Sequence, residues 1–417
     1  MRRSRLFERL ILPALLLPAL PLPVLMVGFI AVPPRAHAQT PYIALPGDVP
    51  PRLKKRKPKQ DVVPPTASLT PAVSVPVAPL GFGPPGATYL GRHDSLASLD
   101  FLDENRLLFT FRAPGLLERN PGAAPSDRQM RALVLALPDG KIVSQAMWSL
   151  SDRNRYLWML KNGHFLLRDR EGLKIGDASL QLKPLAGLSG RFLSLQVSPA
   201  QKLAVLRSLA PSAAVDVVTQ ILQLDGGQVQ KTTHSSTDLM LPISSEGFLE
   251  TVHAKLDHWS LKLDLFGGGN KILGDIESTC TPKSDFVSES EILVTGCNTT
   301  HMPKIAGYAT AGALLWESEA LAEAIPPLLL MAPDGSRLAR ETFVLWKPVK
   351  PGSEVLWVNA VRGQAVHVYD AASGKLVLET PVSPILDGGG NVAFSPSGRR
   401  IAVLNDRAIQ VFDLPGH

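Results

Sequence analysis

Apolar and polar positions repeat along most of this chain in one short pattern: an alternating strand, a tight turn, then a continuous apolar run. The last copy is the clearest. In Gly390 to Leu414, Val392 and Phe394 alternate into a first strand, Ser395-Pro396-Ser397-Gly398 turns, Ile401 to Leu404 is a buried second strand, and Ile409, Val411 and Phe412 mark a third. Proline pre-sets φ in such a turn and glycine tolerates a positive φ. Weaker copies stand at Leu99–Phe109, Leu195–Leu206, Phe286–Val294 and Leu330–Ala339. A second marker follows in several units, a hairpin with glycine at its tip, at Leu137–Val143, Leu224–Val229, Tyr308–Trp316 and Asp370–Val377. Asp-Gly and Ser-Gly between alternating apolar residues are strong hairpin signals.

The units recur with a loose period of about forty-five residues, the length of four short strands and their turns. They centre on 97–147, 155–184, 191–233, 239–275, 283–317, 325–380 and 390–413. This strand rhythm resembles the WD40-like and YVTN-type β-propeller repeats of exported bacterial proteins. The resemblance implies an all-β chain whose residues 86–417 form a single β-propeller of about seven four-stranded blades. The unit at 239–275 is the least regular, with Gly267-Gly268-Gly269-Asn270 at its outer turn. The last unit shows only three strands, and Thr88-Tyr89-Leu90 is expected to complete it as the outer strand. That closure would join the chain ends and remove the edge that a ring of blades otherwise leaves open. Arg112 to Met130 and Lys347 to Val355 read as long loops within the first and sixth units.

The N-terminal part is of another kind. Arg2, Arg3, Arg5 and Arg9 precede an apolar run, Leu10 to Val32, and Ala36-His37-Ala38 is an A-x-A cleavage signature. Residues 1–38 therefore read as a secretory signal peptide. The run is also long enough to span a bilayer as an uncleaved anchor, although Pro13, Pro18, Pro21 and Pro23 weaken a helix there. Residues 39–85 read as a disordered, proline-rich linker that lacks the apolar surface to offset its ordering entropy. Arg52, Lys54, Lys55, Arg56, Lys57 and Lys59 form a basic run in it, either a weak contact to an anionic surface or a solvated tail. The expected location is the periplasm or the outside of the cell.

Charge follows the same division. The chain is +6, but residues 1–60 hold 11 Lys/Arg against two Asp/Glu, which leaves −3 for the rest. A slightly acidic folded part gives no reason to expect a nucleic-acid partner. Cys280 and Cys297 stand almost symmetrically about Ser288-Glu289-Ser290, so a hairpin there would bring them face to face. A disulfide is expected, worth about 3 kcal/mol on the chain-entropy model, with a pair of buried thiols as the alternative.

No spacing of histidines, cysteines or carboxylates marks a metal site, and no nucleophile elbow, P-loop or dinucleotide fingerprint occurs. Catalytic, cofactor-binding and metal-binding residues are accordingly assigned to none. Ala306 to Trp316 and Asp370 to Leu378 partly resemble the A-x-D-x-x-T-G-x-x-x-W repeats of quinoprotein dehydrogenases. Tyr308 and Ala311 depart from it in the first segment, Ser373 and Leu378 in the second. The tryptophans are expected in core and inter-blade packing. Three functions remain: an exported, non-enzymatic binding or scaffold module for a protein or envelope ligand; a propeller enzyme, quinoprotein-like or lactonase-like, with its site in the central channel; or a structural subunit docked by its basic linker. An enzyme should gather acidic, histidine or asparagine side chains around the channel; a binding module should show an apolar patch.

Overall fold

Each unit of the pattern forms one antiparallel sheet whose strands pair in chain order. The computed structural model describes residues 68–84, 96–113, 124–210, 216–236, 241–297, 303–319, 327–347, 360–405 and 407–416. The chain divides into two units, Met1–Val62 and Val63–His417, and every described residue belongs to the second. The expected signal peptide and basic run lie outside the described residues.

The first strand, β1 (Val73–Pro76), belongs to the last blade. Blade 1 holds β2 (Ala97–Asp103), β3 (Arg106–Arg112), β4 (Arg128–Ala136) and β5 (Lys141–Leu150). Blade 2 holds β6 (Leu157–Met159), β7 (Phe165–Arg168), β8 (Gly172–Gly176) and β9 (Leu182–Gly187). Blade 3 holds β10 (Arg191–Val197), β11 (Leu203–Leu209), β12 (Val217–Gln223) and β13 (Val229–Ser235). Blade 4 holds β14 (Gly247–Lys255), β15 (His258–Leu265) and β16 (Asn270–Glu277). Blade 5 holds β17 (Lys283–Phe286), β18 (Glu291–Cys297), β19 (Pro303–Ala309) and β20 (Leu314–Glu319). Blade 6 holds β21 (Leu328–Met331), β22 (Arg337–Leu345), β23 (Val361–Asp370) and β24 (Leu376–Val382). Blade 7 holds β25 (Val392–Phe394), β26 (Arg400–Asn405) and β27 (Ala408–Asp413), with β1 added outside β27. The chain is an all-β, seven-bladed propeller.

The burial explains the sequence pattern. The second strand of a blade has neighbouring blades on both faces, so it reads as a continuous apolar run rather than an alternation. Leu107, Leu108 and Phe109 of β3 and Ile401 to Leu404 of β26 are fully buried. The outermost strand faces water, and β13 is exposed along its whole length. Seven apolar clusters occur among the described residues, one at each junction between blades. Trp148 packs on Phe165 across the junction of blades 1 and 2, and Trp158 on Phe192 across that of blades 2 and 3. Trp316 joins the cluster between blades 5 and 6. Trp346 departs from the expectation, being 64% exposed with Arg362 stacked on its ring.

Blade 4 departs from the four-strand plan. In place of an innermost strand, the described residues show one bridge, Ile243 to Phe248, and a hydrogen bond from the Leu249 amide to the Pro242 carbonyl (2.8 Å). Cys280 and Cys297 form the expected disulfide, across the hairpin of β17 and β18.

Ring closure has the expected form but uses another segment. β1 pairs antiparallel with β27, Val73 against Val411 and Val75 against Ile409. Thr88–Leu90 lies outside the described residues, and the outer place in blade 7 belongs to Val73–Pro76. Pro76 is tolerated because an outermost strand has one edge free of ladder bonds. The chain then crosses to blade 1, where Phe82 packs edge-on against Phe109 and Phe111 and the Leu80 carbonyl accepts from Arg131. Gly140, at the outer turn of blade 1, has a φ of 67°, and a Cβ there would fall 2.4 Å from Val75. Both the turn and the closing strand require a glycine at that position.

Residues 68–84, expected in the linker, thus clasp blade 7 to blade 1. A chain beginning at Leu69 should unfold at the same urea midpoint as one beginning at Gln39. A chain beginning at Ala87 should lose the burial of Val75, Val77, Leu80 and Phe82, on the order of 5 kcal/mol, and unfold at a clearly lower midpoint.

Candidate functional site

The innermost strands carry the side chains that face the axis of the ring. β2, β6, β10, β17, β21 and β25, with Ile243 in blade 4, wall a central cavity of about 670 Å³. The cavity lies toward the end of the channel ringed by the turns between first and second strands, which contribute Lys161, Asn162, Pro199, Gln201, Asp334 and Pro396. Much of the wall is apolar: Phe101, Trp158, Met159, Leu195, Phe286, Leu330, Met331 and Phe394.

Two turns carry a repeated motif. Asp100-Phe101-Leu102-Asp103-Glu104 in blade 1 and Asp285-Phe286-Val287-Ser288-Glu289 in blade 5 share the spacing D-F-x-x-E. In both, the aspartate lines the cavity and the glutamate reaches back to the turn of an earlier blade. Glu289 accepts from the Ala200 amide (2.9 Å) in blade 3 and from the Ser245 amide (2.9 Å) and hydroxyl (2.7 Å) in blade 4. Glu104 accepts from the Ser397 amide (2.8 Å) in blade 7. Gln201 of blade 3 accepts from the Lys161 amide of blade 2. At the junction of blades 6 and 7 the turns touch directly: Gly398 (φ 64°) sits where a Cβ would overlap Ser336 and Asp334. Charge-assisted bonds to backbone amides are short and directional, so these contacts fix the turns relative to one another.

The electrostatics of the cavity are uneven. Burial raises the Asp100 pKa, opposed by the Ser98 hydroxyl, which donates to its carboxylate (2.5 Å), and by the charge of Arg155. Burial likewise lowers the Arg155 pKa, and Asp100 opposes it. The Arg155 guanidinium lies 5.4 Å from the centre of the Trp158 ring. Burial raises Asp285, opposed only by the amide of Phe286 (2.8 Å). Arg155 and Asp285 both remain exposed to water in the channel, which limits how far the low-dielectric wall can disfavour their charged forms.

Sequence reading assigned no catalytic or ligand residue, and it missed Asp100 and Asp285. The signal was present as an aspartate inside an otherwise apolar marker strand, followed in both copies by phenylalanine. Among the described residues no histidine lines the cavity. His234 pairs with Asp216 (2.9 Å) and His253 stacks on Trp259, both on exposed strands. Among the described residues no group of three His, Cys, Asp or Glu side chains stands together as a metal site. The two segments that resemble quinoprotein repeats form the outer hairpins β19–β20 and β23–β24, away from the channel.

Glu341 of β22 lies buried outside the cavity. Among the described residues it has no ion-pair partner, and burial pushes its pKa up to about 8 from an ordinary 4.5. Gln364 donates to it (3.1 Å) and also binds the Leu386 amide and carbonyl and the Asn391 side chain, in the segment joining blades 6 and 7.

No protein-family model matches the chain, and no curated protein matches it. Solved structures do. The C-terminal WD40 domain of Sif2 matches at 11% identity and a TM-score of 0.42, over 84% of this chain and 99% of that one. An acylaminoacyl peptidase of Pyrococcus horikoshii matches at 10% and 0.48, over 80% of this chain and 53% of that one. The propeller domain of the Trilobed protease of Pyrococcus furiosus matches at 9% and 0.41, over 78% and 95%. These likenesses concern the fold alone.

The raised Glu341 pKa has a definite consequence for stability. The folded state binds this proton more tightly than the unfolded chain, so the contribution is complete below pH 4.5 and is lost as pH rises toward 8. Glu341→Gln removes the ionisation and keeps an acceptor for Gln364. Its stability relative to the unaltered protein should rise by about 1 kcal/mol per pH unit between pH 5 and 7.5, read from urea unfolding of both proteins across that range. By its strand pairing, ring closure and blade count, the chain is a seven-bladed β-propeller.

Proposed function

We propose that the protein is an exported, non-enzymatic binding module that holds a protein or envelope ligand at the channel end ringed by the pinned turns. The observation that carries this reading is the cavity: a concave site with an apolar wall and a few polar groups, built from all seven blades. Such a site favours binding of an apolar group with a fixed orientation. The enzyme reading foresaw acidic side chains around the channel, and three aspartates and Asn162 do line it. Their hydrogen bonds do not join them into an acid–base or nucleophile–base pair: Asp100 accepts from Ser98, Asp334 from Ser336, and Asp285 from its own neighbour. Export is supported by the signal-like residues 1–38, and a structural disulfide suits an oxidising compartment.

Gln196 lines the cavity and belongs to none of the junction clusters. Gln196→Trp should fill the channel with little change in melting temperature. Captured from an envelope extract on immobilised mature protein, the ligand should be retained by the unaltered chain and lost from the variant. Equal capture by both proteins would place binding elsewhere and contradict the proposal.

A further inference from the structure

The charges that line the cavity do not balance. Asp100, Asp285 and Asp334 stand against Arg155 and Lys161. Arg155 lies 5.4 Å from the centre of the Trp158 ring, and its charge favours the ionised form of Asp100. Lys161 and Asp334 stand on rim turns of different blades, 2 and 6. Among the described residues no cation pairs with Asp285. Its carboxylate accepts one hydrogen bond, from the amide of Phe286, which leaves an oxygen open to the cavity. The neighbouring inner wall on either side is apolar, Ile243 from blade 4 and Leu330 and Met331 from blade 6.

Blades 1 and 5 present the same D-F dipeptide at the same distance from their turns. In blade 1 a guanidinium, that of Arg155, acts on the aspartate by its charge and lies against an aromatic ring, that of Trp158. Blade 5 repeats the aspartate without the cation. We infer that Asp285 anchors a cationic group, an ammonium or guanidinium carried on an apolar body, that enters the channel from the end ringed by the turns. The inference rests on the channel being the binding site. The cation neutralises the Asp285 carboxylate through a charge-assisted hydrogen bond. The apolar body displaces water from the surrounding wall, and aromatic faces there favour a cation by their quadrupole. Two sources share this chemistry, a basic residue of a polypeptide and a free organic cation.

A random heptapeptide display library panned on the purified mature protein tests it, with the selected peptides then made free and titrated by calorimetry. Selected peptides should carry Lys or Arg next to apolar or aromatic residues. Their affinity should fall roughly tenfold or more in Asp285→Asn, a variant that keeps the acceptor for the Phe286 amide. Carboxylate chemical shifts of the unaltered protein supply a readout independent of that variant: the Asp285 pKa should fall when peptide binds. Phenethylammonium titrated alone distinguishes the sources. Binding within a few-fold of the peptide favours a free cation, and binding a hundredfold weaker favours a polypeptide. Selected peptides without basic residues that are still lost from Gln196→Trp would overturn the inference and leave the channel as the site. A library that yields no enrichment would overturn the channel reading as well.

Discussion

The pairing of β1 with β27 is the constraint on which the rest of the structure depends. It joins segments at opposite ends of the described chain, Val73–Pro76 and Ala408–Asp413, and it completes a blade that sequential strands leave short at its outer side. A ring of blades has no stable edge, because every junction cluster needs an apolar face on both sides. Closing the ring buries the cluster that contains Val75, Phe101, Phe109 and Ile409. The residues that follow β1 continue the clasp onto blade 1. Sequence-local strands make the blades, and one non-local pairing makes them a ring.

The cavity inherits its definition from that ring. Each inner strand is one stave of the wall, so no lining residue is placed by its own blade alone. The glutamates of the two D-F-x-x-E motifs fix the turns at one end, with Glu289 bridging to blades 3 and 4 and Glu104 bridging across the closure to blade 7. Glu289 matters most beside blade 4, whose innermost position is held by one bridge. A carboxylate from the following blade supplies there the order that a full strand supplies elsewhere. Asp100 and Asp285 are carried on the same strands as these glutamates, so the motif couples the rigidity of the rim to the charge of the cavity.

Much of this was legible in the sequence, and what was not has a physical reason. The second strand of most blades is buried on both faces, as in β3, β7 and β26, so its apolar run stands out; β14 of blade 4 is exposed over its second half, and its unit was the least regular. Glycine-tipped hairpins marked the outer turns for the same kind of reason: Gly140, Gly226, Gly312 and Gly374 each need a positive φ. The disulfide followed from spacing about a turn. The closing strand did not. Val73, Val75 and Val77 alternate, but they sit among prolines, and nothing local says that a four-residue strand will find β27 far along the chain. The cavity aspartates were hidden differently. Which residues of an inner strand face the axis is settled only once the ring exists, and Asp100 and Asp285 are 185 positions apart in the sequence.

Hydrogen–deuterium exchange of the protein, resolved to short segments, tests the closed ring most directly. Ala72 and Val77 donate to the carbonyls of Val411 and Arg407 at either end of the β1 pairing (2.8 Å each). In a closed ring, the Ala72 and Val77 amides exchange as slowly as those of Ile409 to Phe412, and both segments open together as denaturant is added. Rapid exchange of the Ala72 and Val77 amides beside a protected β27 would contradict closure by this strand, and with it the fixed geometry of the channel.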